Sequence, residues 1–528
     1  MTTKLFKFGD RALIHLFNGF FFLTLLFAIT SPNIILGDNK ITGAGTTLFT
    51  TWLLITVVAV VVCVLTYPQF KQWWYQVFIV QKLRTGVLIL GAVVLWQLIF
   101  VLNVHPPIGF DVGAIHQALT DTTSPDIKAY FSLNYNNMPI LLAQLILSQV
   151  FATKTWLFFD LVTVVLVDLS ALLNILSIRV LARKKVAAAL YIHALWLLIF
   201  PMIIVPYTDT WVLPFVSGYL LCYIVLAHSQ CKWPLKLVAA IGFGITIVGA
   251  YFMKPSAVVG VVAIILVELL YLLKKKPVNW SAMLGLVGSS ILVAGGTYVV
   301  TNHAISQQTH IQVNTAREIP AIHFIGMGVS GDGGYNPKDA LKMAELPTKQ
   351  GRINYSKKVW LQRLRQKGVG GYLIFLIKKQ RNDTADGSFA WVKEGHFINQ
   401  APKPHGKGFA GQLQQFVYLY GTHLGDLRFI AQAWWIIWLI LIAFGWRQRT
   451  KIAQVLRLMI IGGFMYLLLF EGGRSRYLIQ FLPAYLILAA LVYSDSFAFF
   501  KRVYRWLNAI PSRHQIQAQT DKKANTQV

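Results

Sequence analysis

Charge is scarce in this chain. Only 13% of its 528 residues are Asp, Glu, Lys or Arg, against roughly 25% in soluble globular proteins. Acidic residues are the scarcer kind: 20 Asp and Glu stand against 48 Lys and Arg, a formal net charge of +28. Cysteine is almost absent. Cys63, Cys222 and Cys231 lack metal-ligand spacing, and the first two lie in apolar runs, so neither a disulfide framework nor a zinc site is indicated. No internal repeat is visible, which argues against the duplicated halves common in transporters. No cleavage pattern of small residues follows the first apolar run, so it is read as a retained span rather than a signal peptide.

What the chain has instead is apolar sequence, 56% of all residues. It comes in blocks of about 17 to 23 residues, enough to cross a hydrocarbon core of roughly 30 Å. Twelve spans are expected, at 12–30, 47–67, 85–103, 156–178, 186–205, 210–228, 235–252, 257–273, 281–300, 429–446, 453–470 and 476–494. The fold class is therefore an all-α polytopic membrane protein. A transmembrane core (1–300) carries an outer loop at 104–155, a mixed extracellular domain fills 301–428, further spans occupy 429–494, and 495–528 form a tail.

The excess of Lys and Arg has a location that explains it. With the N-terminus in the cytoplasm, the basic groups collect in short cytoplasmic loops: Lys71, Lys82 and Arg84; Arg179, Arg183, Lys184 and Lys185; Lys232 and Lys236; Lys274, Lys275 and Lys276; Arg447, Arg449 and Lys451. That is the positive-inside pattern of a membrane protein with both termini cytoplasmic, and not a groove for nucleic acid. The lipid bilayer is thus the first expected partner. "MPILLAQLILSQVF" (138–151) is too short to cross and reads as an amphipathic helix on the outer surface. A second short amphipathic helix is expected in "VWLQRLRQKGVGGYLIFLIKKQ" (359–380).

Threading the spans places four polar turns on one face. They are "GFDVGAIHQAL" with Asp111 and His116, "PYTDTW" with Tyr207 and Asp209, "MKPS" with Lys254, and "EGGRSRY" with Glu471, Arg474, Arg476 and Tyr477. Ionisable groups at a bilayer edge are costly unless paired or functional. A carboxylate can serve as general base on a hydroxyl. Arginine and lysine can hold a phosphate leaving group. Asp111 also suits a helix N-cap, and His116 suits a buried, satisfied histidine. Lys254, Arg474 and Arg476 also suit contacts with lipid headgroups, and Tyr477 an interfacial belt. Asp111 with Asp209 could offer oxygen ligands to a divalent cation such as Mg or Mn. In the long outer segment, "GDGGYN" is expected to fold over the site, with His323 as an acceptor contact. Asp121 and Asp126 read as solvated loop carboxylates and Asp386 as a turn residue.

At these residues the chain resembles the GT-C superfamily of polytopic glycosyltransferases, which includes the protein O-mannosyltransferases and the lipid A aminoarabinose transferases. Asp111 matches the acidic residue of their first large outer loop. "YFSLNYNNMPILLAQ" (130–144), "PYTDTWVLPF" (206–215) and "RSRYLIQFLPAYLIL" (474–488) resemble further stretches of that superfamily. A narrower likeness is to integral membrane proteins of Gram-positive bacteria, through "HFIGMGVSGDGGYNPKD" (323–339) and "TADGSFAW" (384–391). Many superfamily members have an acidic pair in the first loop, whereas Val112 follows Asp111 here.

The resemblance implies transfer of a sugar from a polyprenyl-phosphate donor to a cell-surface glycan, lipid or protein, with inversion. It implies Asp111 and Asp209 as catalytic residues. Lys254, Arg474, Arg476 and Tyr477 would hold the donor phosphate, with His116, Tyr207, His323 and Glu471 contacting substrate. A polysaccharide polymerase or ligase, and a lipid or solute transporter, are the competing readings.

Overall fold

In the computed structural model the described residues are 2–274, 280–389, 398, 403–472 and 474–509. Lys275, Lys276, Trp391 and residues 510–528 of the tail lie outside them; residues 495–509 of the tail continue the last helix.

In chain order the helices are α1 (Thr2–Ile29), α2 (Leu48–Thr66), α3 (Pro68–Tyr75), α4 (Lys82–Asn103), α5 (Phe110–Ala118), α6 (Pro125–Leu133), α7 (Met138–Val150), α8 (Trp156–Leu181), α9 (Val186–Leu198), α10 (Thr208–Trp211) and α11 (Leu213–His228). They continue as α12 (Trp233–Met253), α13 (Val259–Leu272), α14 (Trp280–Ser306), α15 (Ala321–Met327), α16 (Pro337–Glu345), α17 (Lys349–Thr384), α18 (Gly408–Val417), α19 (Leu424–Ala443), α20 (Lys451–Leu469) and α21 (Leu482–Ala509).

Among the described residues, eleven helical stretches are long and apolar enough to cross a membrane. Each falls on an expected span. Their starts follow local chemistry. Thr47 and Thr155 cap α2 and α8 by accepting from Phe49 N and Phe158 N, satisfying N–H groups that a helix leaves orphaned. Pro214 and Pro234 sit in the first turns of α11 and α12, where a missing N–H costs nothing.

The twelfth expected span, 186–205, is not one continuous helix. α9 stops at Leu198 and a 3-10 helix follows at Pro201–Ile204. Pro201 accounts for the break, because its ring disfavours helical geometry in the preceding residue. The segment still runs from one end of α4 to the other. Tyr191 donates to the Lys82 carbonyl at the start of α4 (3.1 Å), and Tyr207 donates to Asp111 beyond its end (3.1 Å).

The core is built from α1, α8, α11, α19, α20 and α21, whose inward faces are buried. By contrast α2 buries only Thr50, and α14 buries only Ser290 and Ile305. α14 packs along α12, where Tyr298 stacks on Phe252, and the apolar side chains that both helices leave exposed suit lipid. Buried hydroxyls tie spans together: Ser170 with Ser217 (2.7 Å), and Trp211 Nε1 to Thr163 (2.9 Å). Gly260 lets α13 approach Tyr219, whose hydroxyl stands 2.2 Å from where a Cβ would be.

The segment 301–428 was expected to be a mixed domain. Among its described residues there is no strand, only an isolated bridge between Ile108 and Ile398. It is also woven into the bundle. Thr384 meets Thr24 of α1 (3.1 Å), and its carbonyl accepts from Trp435 of α19 (3.0 Å). α7 forms as the short helix expected at 138–151, but it turns Gln144 and Ser148 inward while Ile146, Val150 and Phe151 are exposed.

Candidate functional site

The polar site begins where α4 ends. Two prolines and Gly109 carry the chain around, and Gly109, not Asp111, takes the N-cap position of α5. The cap role expected for Asp111 is thereby corrected: Asp111 lies inside the first turn, its side chain turned to tertiary partners. The preceding Phe110 is held in the left-handed region (φ 54°) and exposed. Such a conformation costs a non-glycine residue of order 1–3 kcal/mol and persists where surroundings impose it.

Two tyrosines hold the Asp111 carboxylate. Tyr130 of α6 donates to Oδ1 (2.7 Å) and Tyr207 donates to Oδ2 (3.1 Å). Asn137 completes the ring. Its Nδ2 donates to the Tyr130 hydroxyl (2.6 Å), and its Oδ1 lies 3.3 Å from Tyr207 Oη. Tyr207 has one proton to give, and the carboxylate is the nearer, charged acceptor. Burial first, and the Asp111 charge second, push both phenols well above their ordinary range, so both stay protonated donors.

A second cluster adjoins the first. Asp209 lies in the single turn of α10, with its side chain 1% exposed. Lys254 forms an ion pair with its Oδ1, and Arg476 Nε approaches its Oδ2 (3.3 Å). Lys254 reaches this position because Pro255 forces the chain out of helical geometry between α12 and α13. Burial pulls the Lys254 ammonium below its usual range, against the opposing pull of Asp209. Tyr477 packs beneath both cations, 4.6 Å from Lys254 Nζ and 5.0 Å from the Arg476 guanidinium. Its hydroxyl donates to Glu471 Oε2 (3.2 Å) and accepts from Arg476 (3.2 Å). Tyr207 joins the clusters, since Asp111, Asp209 and Arg476 all act on its phenol.

The glycine-rich segment reaches the same end. Gly472 N donates to the Gly333 carbonyl (3.1 Å), pinning "GDGGYN" to the Glu471 turn. Lys379 reinforces the junction by donating to Gly328 O (2.8 Å) and Phe470 O (2.6 Å). Burial raises the Tyr335 phenol, and Asp111 and Glu471 add to the shift.

The expected residues do not all meet. His116 Nε2 donates to the Lys154 carbonyl (2.8 Å), and the ring stacks on Trp156 (3.9 Å between centroids). Both line a cavity of about 460 Å³ that Tyr130, Phe110 and Asp126 also border. His323 lies elsewhere, buried on α15 near the bidentate Arg363–Asp339 pair (2.6 and 2.8 Å). Arg476 pairs with Asp209, and Arg474 stands at the N-cap position of the 3-10 helix Ser475–Phe481. Asp386 is a turn residue, accepting from Ser388 N (2.9 Å) and also from Asn33 (2.9 Å). The sequence alone assigns no role to Tyr130 and Asn137, which lie in the 130–144 stretch. Lys379 gave no signal beyond its helix.

The residues present do not suit an Asp111–Asp209 metal pair. The oxygens of Asp111 face tyrosine donors and those of Asp209 face two cations. Among the described residues no group of three His, Cys, Asp or Glu side chains is placed to hold a metal ion.

Long apolar helices around a buried core, with carboxylates, cations and phenols gathered at one end, define a polytopic integral membrane protein. The chain belongs to the family described as conserved hypothetical integral membrane protein, whose model matches residues 5–497. No curated protein and no solved structure matches it.

Proposed function

We propose that this protein is a GT-C-like glycosyltransferase, moving a sugar from a polyprenyl-phosphate donor to a cell-envelope acceptor on the outer face of the membrane. The observation that carries this reading is the adjacency of two unlike clusters. One is a carboxylate held by Tyr130 and Tyr207; the other is a pair of cations, Lys254 and Arg476, gathered on Asp209. The first suits a base and the second a phosphate.

In the proposed step Asp111 takes the proton from an acceptor hydroxyl. The acceptor oxygen forms a bond to the sugar's anomeric carbon as the bond from that carbon to the phosphate oxygen breaks. The leaving polyprenyl phosphate carries the negative charge, which Lys254 and Arg476 offset. Asp209 holds the two cations in place, and Glu471 and Tyr477 position Arg476. The cavity beside Tyr130, with Trp156 and His116 on its wall, suits a sugar or acceptor ring. The phosphate leaves the anomeric carbon on the side opposite the acceptor's approach, which gives inversion.

Support is of two kinds: the geometry of the two clusters, and the order of sequence stretches that resemble those of the GT-C superfamily. The test is to compare surface polymers, lipids and glycoproteins of a deletion strain by mass spectrometry. Loss of a hexose is expected. An unchanged glycan profile with lost uptake of a solute would favour transport instead.

A further inference from the structure

The long helix α17 changes character midway. Its backbone leaves helical geometry at Gly368 (φ 60°, ψ 179°). Beyond that break the polar and apolar faces are inverted relative to a water-facing helix. Lys379, Gln380, Asp383 and Thr384 are buried, while Val369 (84%), Leu373 (57%), Ile374 (57%) and Ile377 (50%) are exposed.

The buried face is fixed to membrane-spanning helices. Gln380 Nε2 donates to Thr24 of α1 (3.0 Å), and Thr384 meets the same hydroxyl (3.1 Å). Trp435 of α19 donates to the Thr384 carbonyl (3.0 Å), and Lys379 donates to Phe470 O at the end of α20 (2.6 Å). Thr24 lies five residues inside the end of α1, which is roughly 7.5 Å along a helix axis. The helix therefore lies at the boundary of the spanning bundle, below the helix ends rather than above them.

The exposed apolar band is short, Val369 to Ile377, and basic residues bracket it. Arg365 precedes it, and Lys378 and Arg381 follow it, all exposed. Nine residues rise roughly 13 Å, too little to cross a bilayer. An apolar face with cations at both ends is the pattern of a helix lying in the headgroup boundary, where long basic side chains reach back to lipid phosphates.

We infer that residues 369–381 form an interfacial helix whose exposed face is covered by lipid acyl chains, not by water. The occupant is the bilayer itself, because the apolar band continues from spanning helices and its bracketing charges complement lipid phosphates. The same helix carries Lys379, which clamps the Gly328 loop to the Phe470 carbonyl. Lipid contact is thus joined by one helix to the turn that holds Glu471.

The test uses the full chain in phosphatidylcholine–phosphatidylglycerol nanodiscs. Single cysteines at Leu373, Ile374 and Ile377, in a background with Cys63, Cys222 and Cys231 replaced by alanine, would carry nitroxide labels. Val262→Cys on α13 serves as the spanning reference, and Lys342→Cys on exposed α16 as the aqueous one. The α17 positions are surface sites, so the labels displace no core packing. Collision with oxygen should exceed collision with a water-soluble nickel chelate at all three positions, as at Val262. Nickel accessibility equal to that at Lys342 would overturn the inference. Low accessibility to both agents, the sign of a second copy or another protein over this face, would overturn it too. Glycan transfer is not read in this experiment, so its outcome is separate from the proposed activity.

Discussion

Removing Asp209 should take a buried counter-charge away from two cations. Its carboxylate is 1% exposed, and the Lys254 and Arg476 side chains that face it are 12% and 17% exposed. Breaking a buried pair by deleting one partner typically costs about 3–5 kcal/mol, because the remaining charge is left uncompensated. Water reaches both cations in part, so the lower end applies: about 3 kcal/mol for Asp209→Ala, or roughly a hundredfold in the folding equilibrium. Reversible unfolding in mixed detergent micelles, followed by tryptophan fluorescence, measures this. Lys254→Met in the same chain supplies the control. Once Asp209 is gone, removing the Lys254 ammonium should recover part of the loss, so the double variant should be less destabilised than the sum of the singles. Inorganic pyrophosphate should stabilise Asp209→Ala more than the wild type, since an anion can take the vacated place. If Asp209→Ala unfolds within 0.5 kcal/mol of wild type, or the two substitutions simply add, the two cations do not depend on Asp209.

Other consequences are as direct. Tyr130→Phe and Tyr207→Phe each remove one donor from Asp111; a hydrogen bond to a charged group is worth about 1.5–3 kcal/mol, so each should lower transfer roughly ten- to a hundredfold with the protein still inserted. Burial lowers the His323 imidazole from its usual range to about 4. The folded chain then binds fewer protons than the unfolded one between about pH 6.5 and 4, so stability falls as pH drops through that window. The loss approaches about 3 kcal/mol by order of magnitude, and His323→Gln should flatten the acid limb of a thermal-shift profile. Gly333 has φ 94°, and a Cβ there would meet the Lys379 side chain at 2.6 Å. Gly333→Ala should therefore cost at least 1–2 kcal/mol and loosen the "GDGGYN" segment, visible as faster proteolysis there.

Much of the fold was legible in the sequence for one physical reason. A segment crossing hydrocarbon must be long, helical and apolar, so length and composition reveal it. The exception was 186–205, where apolar composition was read as one helix although Pro201 divides it. The assembly of Asp209, Lys254 and Arg476 was foreshadowed by sidedness: three charged turns were placed on one face, and the fold brings these charges into contact. Tyr130 and Asn137 were harder. Tyrosine and asparagine are common near span ends, and nothing local says that residues 19 and 26 positions downstream of Asp111 will turn back to its side. The second half of α17 was legible only in part. Its amphipathic pattern was visible, but the pattern does not say which face meets water. Only the contacts of Gln380 and Thr384 with α1 and α19 show that the polar face is the inner one.

The central claim is that Asp111 removes a proton from the acceptor of a sugar, and one comparison tests it most directly. A deletion strain is complemented with the wild-type chain or with Asp111→Asn, which keeps the side chain's size and one acceptor oxygen for the two tyrosines but cannot take a proton. Membrane insertion is checked by immunoblot, and the surface glycans are compared by mass spectrometry. The predicted result is restoration of the missing hexose by the wild type and none by Asp111→Asn at equal membrane abundance. Full restoration by Asp111→Asn would contradict the assignment.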